Sequence, residues 1–345
     1  MHASSFEAHD CLSGRAGTIA ASQLCYCHVV ACVDETYLSR KAISHGAAFA
    51  NALGAELILI HVLETKQESR IPPDPVEWDL RCRQAQVHVE ELIQGWAGDV
   101  ERIQARVMEG RVTDRICSWL RDHLDDLTVL CTYGNNGATT GDLGSKTRRI
   151  IDCAPGSILL VPAWVEDAHM AHYRRMVVPL DGSSRAERAL PVALRLAEAQ
   201  NAELLLVHAV PEPELTETGP LEAEGVELQG RLLRRNERVG RDYLDHIRAA
   251  IAGRDVRVRT LIVRGGDTRH LISRAITDES ADLAVIASHG HSGHADTSTG
   301  SVAAHLIAHT RVPLLIVRDP SAVPKLSRRG AQRGASRRLR GRAAA

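Results

Sequence analysis

Apolar residues along the chain form short continuous runs that alternate with segments of helical spacing. In the second half, the runs MVVPL, ELLLVHAV, VRVRTLIV, DLAVIAS and PLLIV have the length of strands. The segments between them, such as TRHLISRAITDES and SVAAHLIAHT, repeat their apolar residues at the period of a helix. Strands that are apolar along their whole length need helices on both faces of their sheet. The pattern predicts an α/β fold with a doubly wound parallel sheet of five strands.

The same pattern occurs twice along the chain. The segment AELILIHV, which starts at Ala55, recurs as AELLLVHA at Ala202, an offset of 147 residues. Closer to the end of each copy the offset is 156, as between Gly134 and Gly290, so the second copy holds a net insertion of nine residues. The acidic stretch 211–230 is the natural place for this insertion. The repeat predicts two tandem domains of one fold.

The repeat and the composition at its borders divide the chain into five parts. The two ends show no repetition and no apolar period. We expect a disordered extension at 1–24, a first domain at 25–163, a linker at 164–173, a second domain at 174–318 and a basic disordered tail at 319–345.

Composition places the chain among soluble globular proteins. Hydrophobic residues make up 44% and charged residues 25%, and no apolar run approaches the roughly 20 residues of a membrane span. The start of the chain carries early acidic residues and no apolar segment, so it does not resemble a secretory signal. All eight cysteines lie in the first half, and with no export signal we expect a reducing cytoplasm and no disulfide framework.

The net charge of −1 is the sum of two unlike parts. From Lys325 onwards there are eight basic residues and no acidic ones, which leaves the rest of the chain at −9. We favour a solvated, disordered tail over an arm that contacts nucleic acid. Aromatic residues amount to 3%, too few for the stacking platforms that bind single-stranded nucleic acid.

Glycines at one spacing follow the predicted fourth strand in each copy. Nine residues separate the first glycine from a Gly-Ser pair that opens the next predicted helix. Glycine lets backbone N–H groups turn towards an anion, and a helix start presents the positive end of its dipole. A tight turn would explain one such loop, but its repetition favours a phosphate loop in at least one copy. The loops comprise Gly290, Gly300 and Ser301 in the second copy and Gly134, Gly144 and Ser145 in the first.

An aspartate ends the first predicted strand of each copy, Asp34 after HVVACV and Asp181 after RMVVPL. In a parallel sheet, ligands sit beyond the carboxyl ends of the strands, near a switch in strand order. We therefore expect this aspartate on the same rim as the glycine loop, where it can accept hydrogen bonds from a ribose or a base.

The second copy resembles a domain of the universal stress protein family. The family's nucleotide motif, G-x2-G-x9-G-S/T, falls on Gly290, Gly300 and Ser301. The resemblance covers nearly all of 174–318 and, more loosely, 25–163. It implies a tandem member of the family, with five-stranded parallel domains of the adenine-nucleotide alpha hydrolase-like type. The residues that carry it are VPLDGS at 178–183, LVHA at 206–209, ASHGHSG at 287–293, GSV at 300–302 and PLLIV at 313–317.

The nucleotide-binding branch of this family holds ATP, so the resemblance implies ATP as the ligand, with or without Mg²⁺. The site residues can be carried over one by one. The adenosine end would contact Asp181 and Ala209, and the phosphates would contact Gly290, Gly300, Ser301 and Val302. The matching positions of the first copy are Asp34, Val62, Gly134, Gly144 and Ser145.

The resemblance also implies how the two domains associate. The fifth strands, ILLV at 158–161 and LLIV at 314–317, would each be the edge of a sheet. Two such edges in one chain can pair and form an internal pseudo-dimer that hides both. Whether two chains associate further into a homodimer stays open.

Both copies depart from the family motif. Its first glycine is Ala287 in the second copy and Cys131, a larger intrusion, in the first. Glu35 follows the aspartate of the first copy where the second has Gly182, and a carboxylate that points inwards there repels a polyphosphate. We expect the second copy to hold the better site and the first to be partly degenerate. In the second copy, Asp296 either repels phosphate or helps to hold Mg²⁺.

Two clusters of histidine and cysteine resemble metal sites at first sight. We interpret H-x-H-x2-H as a flexible loop, because no carboxylate or cysteine completes a ligand set, and C-x-C-H-x3-C as a buried strand, because its spacing is not a standard zinc spacing. His61 and His208, at the ends of the two second strands, are expected to be structural. The clusters comprise His289, His291 and His294, and Cys25, Cys27, His28 and Cys32.

The chain shows no arrangement of nucleophile and base and no G-x4-G-K-S/T motif. Our leading hypothesis is a stress-response protein that binds ATP and acts through nucleotide-dependent conformation or partner binding rather than catalysis. One alternative is a family member that binds no nucleotide and serves as an interaction module. Another, less favoured, is a weak ATP-transforming enzyme.

Overall fold

The computed structural model describes residues 26–64, 74–96, 99–132, 143–166, 168–213, 223–290 and 299–318. Within these residues, ten strands form one sheet and helices cover both of its faces. The predicted extension 1–24 and tail 319–345 lie outside the described residues. No described helix has both the length and the apolar character needed to cross a bilayer.

The first domain alternates strands and helices as its sequence pattern predicts. Local signals mark the helix ends: Asp74 accepts from the N–H of Val76 at the start of one helix, and Gly54, at φ 63°, ends another. The elements are β1 (His28–Val33), α1 (Leu38–Leu53), β2 (Glu56–Leu63), α2 (Pro75–Gln94), β3 (Ile103–Glu109), α3 (Val112–Asp122), β4 (Leu127–Thr132), α4 (Ser145–Cys153) and β5 (Ile158–Pro162).

The second domain repeats this order with one difference. The helix predicted over SRAERALPVALRLAEAQ divides at Arg188, because Pro191 lacks the N–H that would bond to the carbonyl of Glu187. The elements are β6 (Arg175–Pro179), α5 (Ser184–Glu187), α6 (Ala189–Gln200), β7 (Glu203–Val210), α7 (Ala223–Ala250), β8 (Arg257–Arg264), α8 (Thr268–Asp278), β9 (Leu283–Ala287), α9 (Ser301–His309) and β10 (Leu314–Val317).

The strand order is β3-β2-β1-β4-β5-β10-β9-β6-β7-β8. Neighbouring strands within each domain are parallel, whereas β5 and β10 pair in the antiparallel sense, with Leu160 opposite Leu314 and Ile158 opposite Ile316. This pairing removes an exposed edge from each domain. The structure therefore confirms the α/β fold with two five-stranded parallel halves, and it shows the internal pairing that the family resemblance implies.

An apolar layer covers each face of the sheet, and both layers continue from one domain into the other. Leu159 and Leu315 belong to one layer, while Leu160 and Leu314, their neighbours in the same strands, belong to the other. Side chains alternate along a strand, so the β5–β10 junction contributes to both layers. The two domains consequently share a core that consists of these two layers.

A buried histidine lies within this shared core. Nδ1 of His45, on α1, is 2.6 Å from the hydroxyl of Tyr173, and the ring of Phe49 meets Tyr173 edge-on at 5.8 Å. Burial, assisted by the nearby charge of Lys41, lowers the pKa of His45 to about 4. The imidazole is therefore neutral in the folded protein at neutral pH.

Acid is expected to destabilise the fold through this histidine. The unfolded chain takes up a proton near the ordinary histidine pKa of about 6.5, but the folded protein does so only near 4. The contribution to stability is therefore complete above pH 6.5 and is lost as the pH falls towards 4. Between pH 7 and pH 5 we expect the free energy of unfolding to fall by about 2 kcal/mol from this group.

Denaturant titration at the two pH values checks this expectation. A His45→Gln variant should lose this part of the pH dependence, and a variant of the exposed His309, His309→Gln, should keep it. If His45→Gln and the wild type respond equally to acid, the assignment to His45 is wrong.

Candidate functional site

A cavity of about 560 Å³ opens at the carboxyl ends of β6 and β9 in the second domain. These two strands are neighbours in the sheet. The strand order changes direction between them, because β7 and β8 lie on one side of β6, while β9 and β10 lie on the other side. Ligands of open α/β sheets bind at such switch points. The cavity brings together all six residues predicted for the second copy: Asp181, Ala209, Gly290, Gly300, Ser301 and Val302. Their roles towards a nucleotide stay predictions.

The carboxylate of Asp181 packs against the backbone of Gly290. Oδ1 of Asp181 accepts a hydrogen bond of 2.9 Å from the N–H of Ser183, in a turn that Gly182 permits at φ 81°. A Cβ atom on Gly290 would lie 2.2 Å from Oδ2 of Asp181. Glycine is therefore required at position 290 for space, so that the loop and the strand end can approach each other.

The second glycine of the loop, Gly300, is the N-cap residue of α9. The N–H of Gly300 donates to the carbonyl of Ser288 at 2.7 Å, and Gly300, as the N-cap residue, has no side chain that could cap the helix. The first N–H groups of α9 and the positive end of its dipole are therefore presented at Ser301 and Val302, which line the cavity. A helix start of this kind can bind an anion.

The cavity is lined by both apolar and polar residues. Ile272, Ile286 and Ala209 contribute apolar surface, and the described lining residues include neither lysine nor arginine. An anion bound here would thus depend on backbone donors rather than on lysine or arginine side chains. Thr268 and Ile272 were not predicted from the sequence, because α8 reaches this rim only by crossing over from the far strand β8.

The residues predicted in the first copy have a different setting. Val62 lies in β2, Gly144 and Ser145 begin α4, and Gly134 lies outside the described residues. Oδ1 of Asp34 accepts hydrogen bonds of 2.9 Å from the N–H of Thr36 and 2.6 Å from its hydroxyl. The hydroxyl of Ser39 is shared between the backbone carbonyl of Asp34, at 2.6 Å, and Oδ1, at 3.1 Å.

Three further features separate the two copies. Glu35 is exposed and does not adopt the left-handed conformation of Gly182, so the turns after β1 and β6 differ. Burial raises the pKa of the Cys131 thiol to about 12, and its Sγ donates to the carbonyl of Leu38 at 3.3 Å. Lys146 forms a 2.8 Å ion pair with Glu64 and so lowers the pKa of that carboxyl.

Both second-strand histidines are structural, as predicted. Nδ1 of His61 lies 3.2 Å from the carbonyl of Val33, and Nδ1 of His208 lies 2.8 Å from the carbonyl of Leu180. Each imidazole thus joins the end of a second strand to the end of a first strand. A Cβ on Gly240 would lie 2.5 Å from the ring of His208, so α7 packs tightly on this histidine.

The candidate metal clusters do not form within the described residues, where no group of three or more suitable ligands occurs. His289 lines the cavity, while His291, His294 and Cys25 lie outside the described part. The prediction of a buried strand for the cysteine cluster is wrong for Cys27, which precedes β1 and is exposed. In Cys32, which lies within β1, burial raises the pKa to about 12.

The cysteine pattern, from which we expected no disulfide framework, did not predict the one disulfide that the described residues contain. Cys117 on α3 and Cys153 at the end of α4 form a disulfide, with their Cα atoms 6.0 Å apart. They are 36 residues apart in the sequence, and the packing of α3 against α4 brings them together. No spacing rule along the chain points to this pair.

The fold and the cavity define a class of protein: a tandem α/β protein with a glycine loop at its switch point. Both copies match the family model described as the universal stress protein family, at residues 26–162 and 172–318. The chain therefore belongs to the universal stress protein family.

A relative of the same family resembles this chain over most of its length, and solved structures share its fold. Universal stress protein Rv2623 of Mycobacterium tuberculosis is 25% identical over 311 residues, which cover 84% of this chain and 96% of the relative. A functionally unknown protein, PA1789 of Pseudomonas aeruginosa PAO1, matches with a TM-score of 0.61 and 13% identity over 87% of this chain and 95% of its own. A universal stress protein of Archaeoglobus fulgidus matches with a TM-score of 0.56 and 17% identity over 84% and 98%. At 13% and 17% identity, these two likenesses show that the chain has the same fold and nothing more.

Proposed function

We propose that the second domain binds ATP in this cavity and that the protein acts in a stress response through nucleotide-dependent conformation or partner binding. One observation carries the proposal: Asp181, both glycines of the loop and the start of α9, whose N-cap residue is a glycine, converge on a single cavity. Its volume of about 560 Å³ lies within the usual range for small-molecule sites, about 300–1,000 Å³. Membership of the family supports the role in a stress response.

The donor set fits a nucleotide. Asp181 would accept hydrogen bonds from a ribose or base, and the apolar walls at Ile272 and Ile286 would cover the base. The N–H groups at Ser301 and Val302 would donate to phosphate oxygens, with the dipole of α9 favouring their negative charge. Mg²⁺ remains optional in this proposal, because Asp296 lies outside the described residues.

We place the better site in the second domain. Val302 lines the cavity there, while Lys146, at the equivalent position of the first domain, is held in its ion pair with Glu64. Ala186 likewise lines the cavity, while its counterpart Ser39 bonds to the carboxylate of Asp34. Ser39 and Lys146 thus bond to acidic residues of the first domain, whereas the residues at their positions in the second domain, Ala186 and Val302, line the cavity.

Calorimetry with ATP and the full chain tests the proposal, and the repeat supplies a matched control. We expect Asp181→Ala to weaken binding at least about tenfold, the equivalent of about 1.4 kcal/mol, and Asp34→Ala to change it less than about twofold. Absence of binding heat in the wild type at millimolar ATP would overturn the proposal. Equal losses in the two variants would overturn the choice of domain.

The enzymatic alternative has a specific feature of its own. Oγ of Ser288 lies 3.2 Å from Nδ1 of His289, both at the cavity. If the purified protein releases phosphate from ATP over many turnovers and His289→Gln abolishes this release, the enzymatic reading replaces ours. We expect binding without sustained release.

A further inference from the structure

Arg318 extends from the second domain into the first. It directly follows β10 and is buried, with 7% of its surface exposed. Nη1 donates to the carbonyl of Ile151 at 2.8 Å and also to the carbonyl of Ala154. These carbonyls belong to the end of α4, where the helix itself offers them no donor.

The other arm of the same guanidinium reaches the cavity loop. Nη2 of Arg318 lies 3.5 Å from Oγ1 of Thr299. Thr299 lines the cavity and immediately precedes Gly300, the N-cap residue of α9. One planar side chain therefore touches the end of a helix in the first domain and the glycine loop of the second.

The backbone of Arg318 is anchored to the first domain as well. Its N–H donates to the hydroxyl of Ser157 at 3.2 Å, and that hydroxyl lies 2.8 Å from the hydroxyl of Tyr26. Both partners precede strands of the first domain, Tyr26 before β1 and Ser157 before β5. The base of the side chain is thus held firmly, and the guanidinium has a defined position.

The guanidinium of Arg318 keeps its charge at this place in spite of its burial. Burial lowers the pKa of Arg318 to about 10, so the group stays protonated at neutral pH. A cation at the C-terminal end of α4 is stabilised by the helix dipole. The rigid fork of arginine can serve carbonyl and hydroxyl acceptors at once, which a lysine ammonium cannot do with the same geometry.

We propose that Arg318 is a positioning residue that joins the phosphate-binding loop of the second domain to α4 of the first. It fixes Thr299, and with it the backbone of Gly300 and the first turn of α9, where phosphates would lie. The affinity for the phosphate part of a nucleotide therefore depends on the domain interface, whereas the affinity for the adenosine part does not. The inference rests on the proposed function.

Comparison of ATP with adenosine tests this inference in the full chain. We expect Arg318→Met to weaken ATP binding at least about fivefold, or about 1 kcal/mol, and adenosine binding less than about twofold. Arg318→Lys should give an intermediate loss for ATP. Arg311→Met, at an exposed position just before β10, is the control and should leave both affinities unchanged.

Thr299→Val keeps the test valid even if Arg318→Met weakens the domain interface. It removes the hydroxyl that contacts the guanidinium, and we expect the same loss that is selective for ATP. The double variant should bind ATP no more weakly than Arg318→Met alone, since both changes break one contact.

The outcomes separate the inference from the proposed function. If the wild type binds neither ATP nor adenosine, both fail. If the wild type binds both ligands, and Arg318→Met and Thr299→Val either leave ATP affinity unchanged or weaken ATP and adenosine equally, the inference alone is overturned.

Discussion

A Gly290→Ala variant is expected to bind ATP at least about tenfold more weakly than the wild type, with its melting temperature changed by less than about 2 °C. The added methyl group would lie 2.2 Å from Oδ2 of Asp181, so the carboxylate has to rotate out of the cavity. The loss reflects this displaced acceptor rather than unfolding, because Gly290 lies in a half-buried loop outside the core layers. Calorimetry and thermal melting on the same sample measure both effects.

Two controls show whether the effect passes through the carboxylate. Gly253→Ala adds the same methyl group where no atom lies within 4 Å, and its ATP affinity should match the wild type. In an Asp181→Ala background, Gly290→Ala should cause only a small further loss, because the clash partner is already absent. Wild-type affinity in the single Gly290→Ala variant would contradict the geometry of the site.

Reduction of the disulfide between Cys117 and Cys153 is expected to cost about 4 kcal/mol of stability. The bond closes a loop of 36 residues, and the cross-link limits the conformational freedom of the unfolded chain accordingly. For a protein of this size the loss corresponds to a fall of about 6 °C in melting temperature. Thermal melting with and without a dithiol reductant measures it.

The double variant Cys117→Ser/Cys153→Ser should melt like the reduced wild type and should not respond to the reductant. Cys27→Ser, which removes an exposed free thiol, should behave like the wild type under both conditions. A wild type whose melting temperature ignores the reductant would show that this bond contributes nothing to stability.

The two copies act as an internal comparison for the site. Asp34 and Asp181 occupy equivalent strand ends, yet Ser39 bonds to the first carboxylate, whereas Ala186, the equivalent residue, lines the cavity beside the second. The sequence shows that Ser39 has a hydroxyl that Ala186 lacks, but it does not show that this hydroxyl contacts the carboxylate of Asp34. The direction of the serine side chain depends on the turn after β1, and that turn differs from the one that Gly182 forms.

Much of the fold could be predicted because its signals are local. Apolar runs and helical periods arise between neighbours in the chain, and they were sufficient to predict two parallel α/β domains. The spacing of Gly290, Gly300 and Ser301 is also a local property, since one strand end, one loop and one helix start are consecutive. These three residues could therefore be named from local spacing, whereas Ala209 and Val302 were named from the family resemblance.

The remaining features depend on contacts between segments that are far apart in the sequence. The disulfide requires α3 and α4 to pack side by side, and the cavity requires α8 to return from the far edge of the sheet. The path of Arg318 requires β5 and β10 to pair, because this pairing places the end of α4 beside the end of β10. A sequence pattern indicates which residues are buried and where the chain turns. Which distant segments contact each other depends on the packing of the whole sheet.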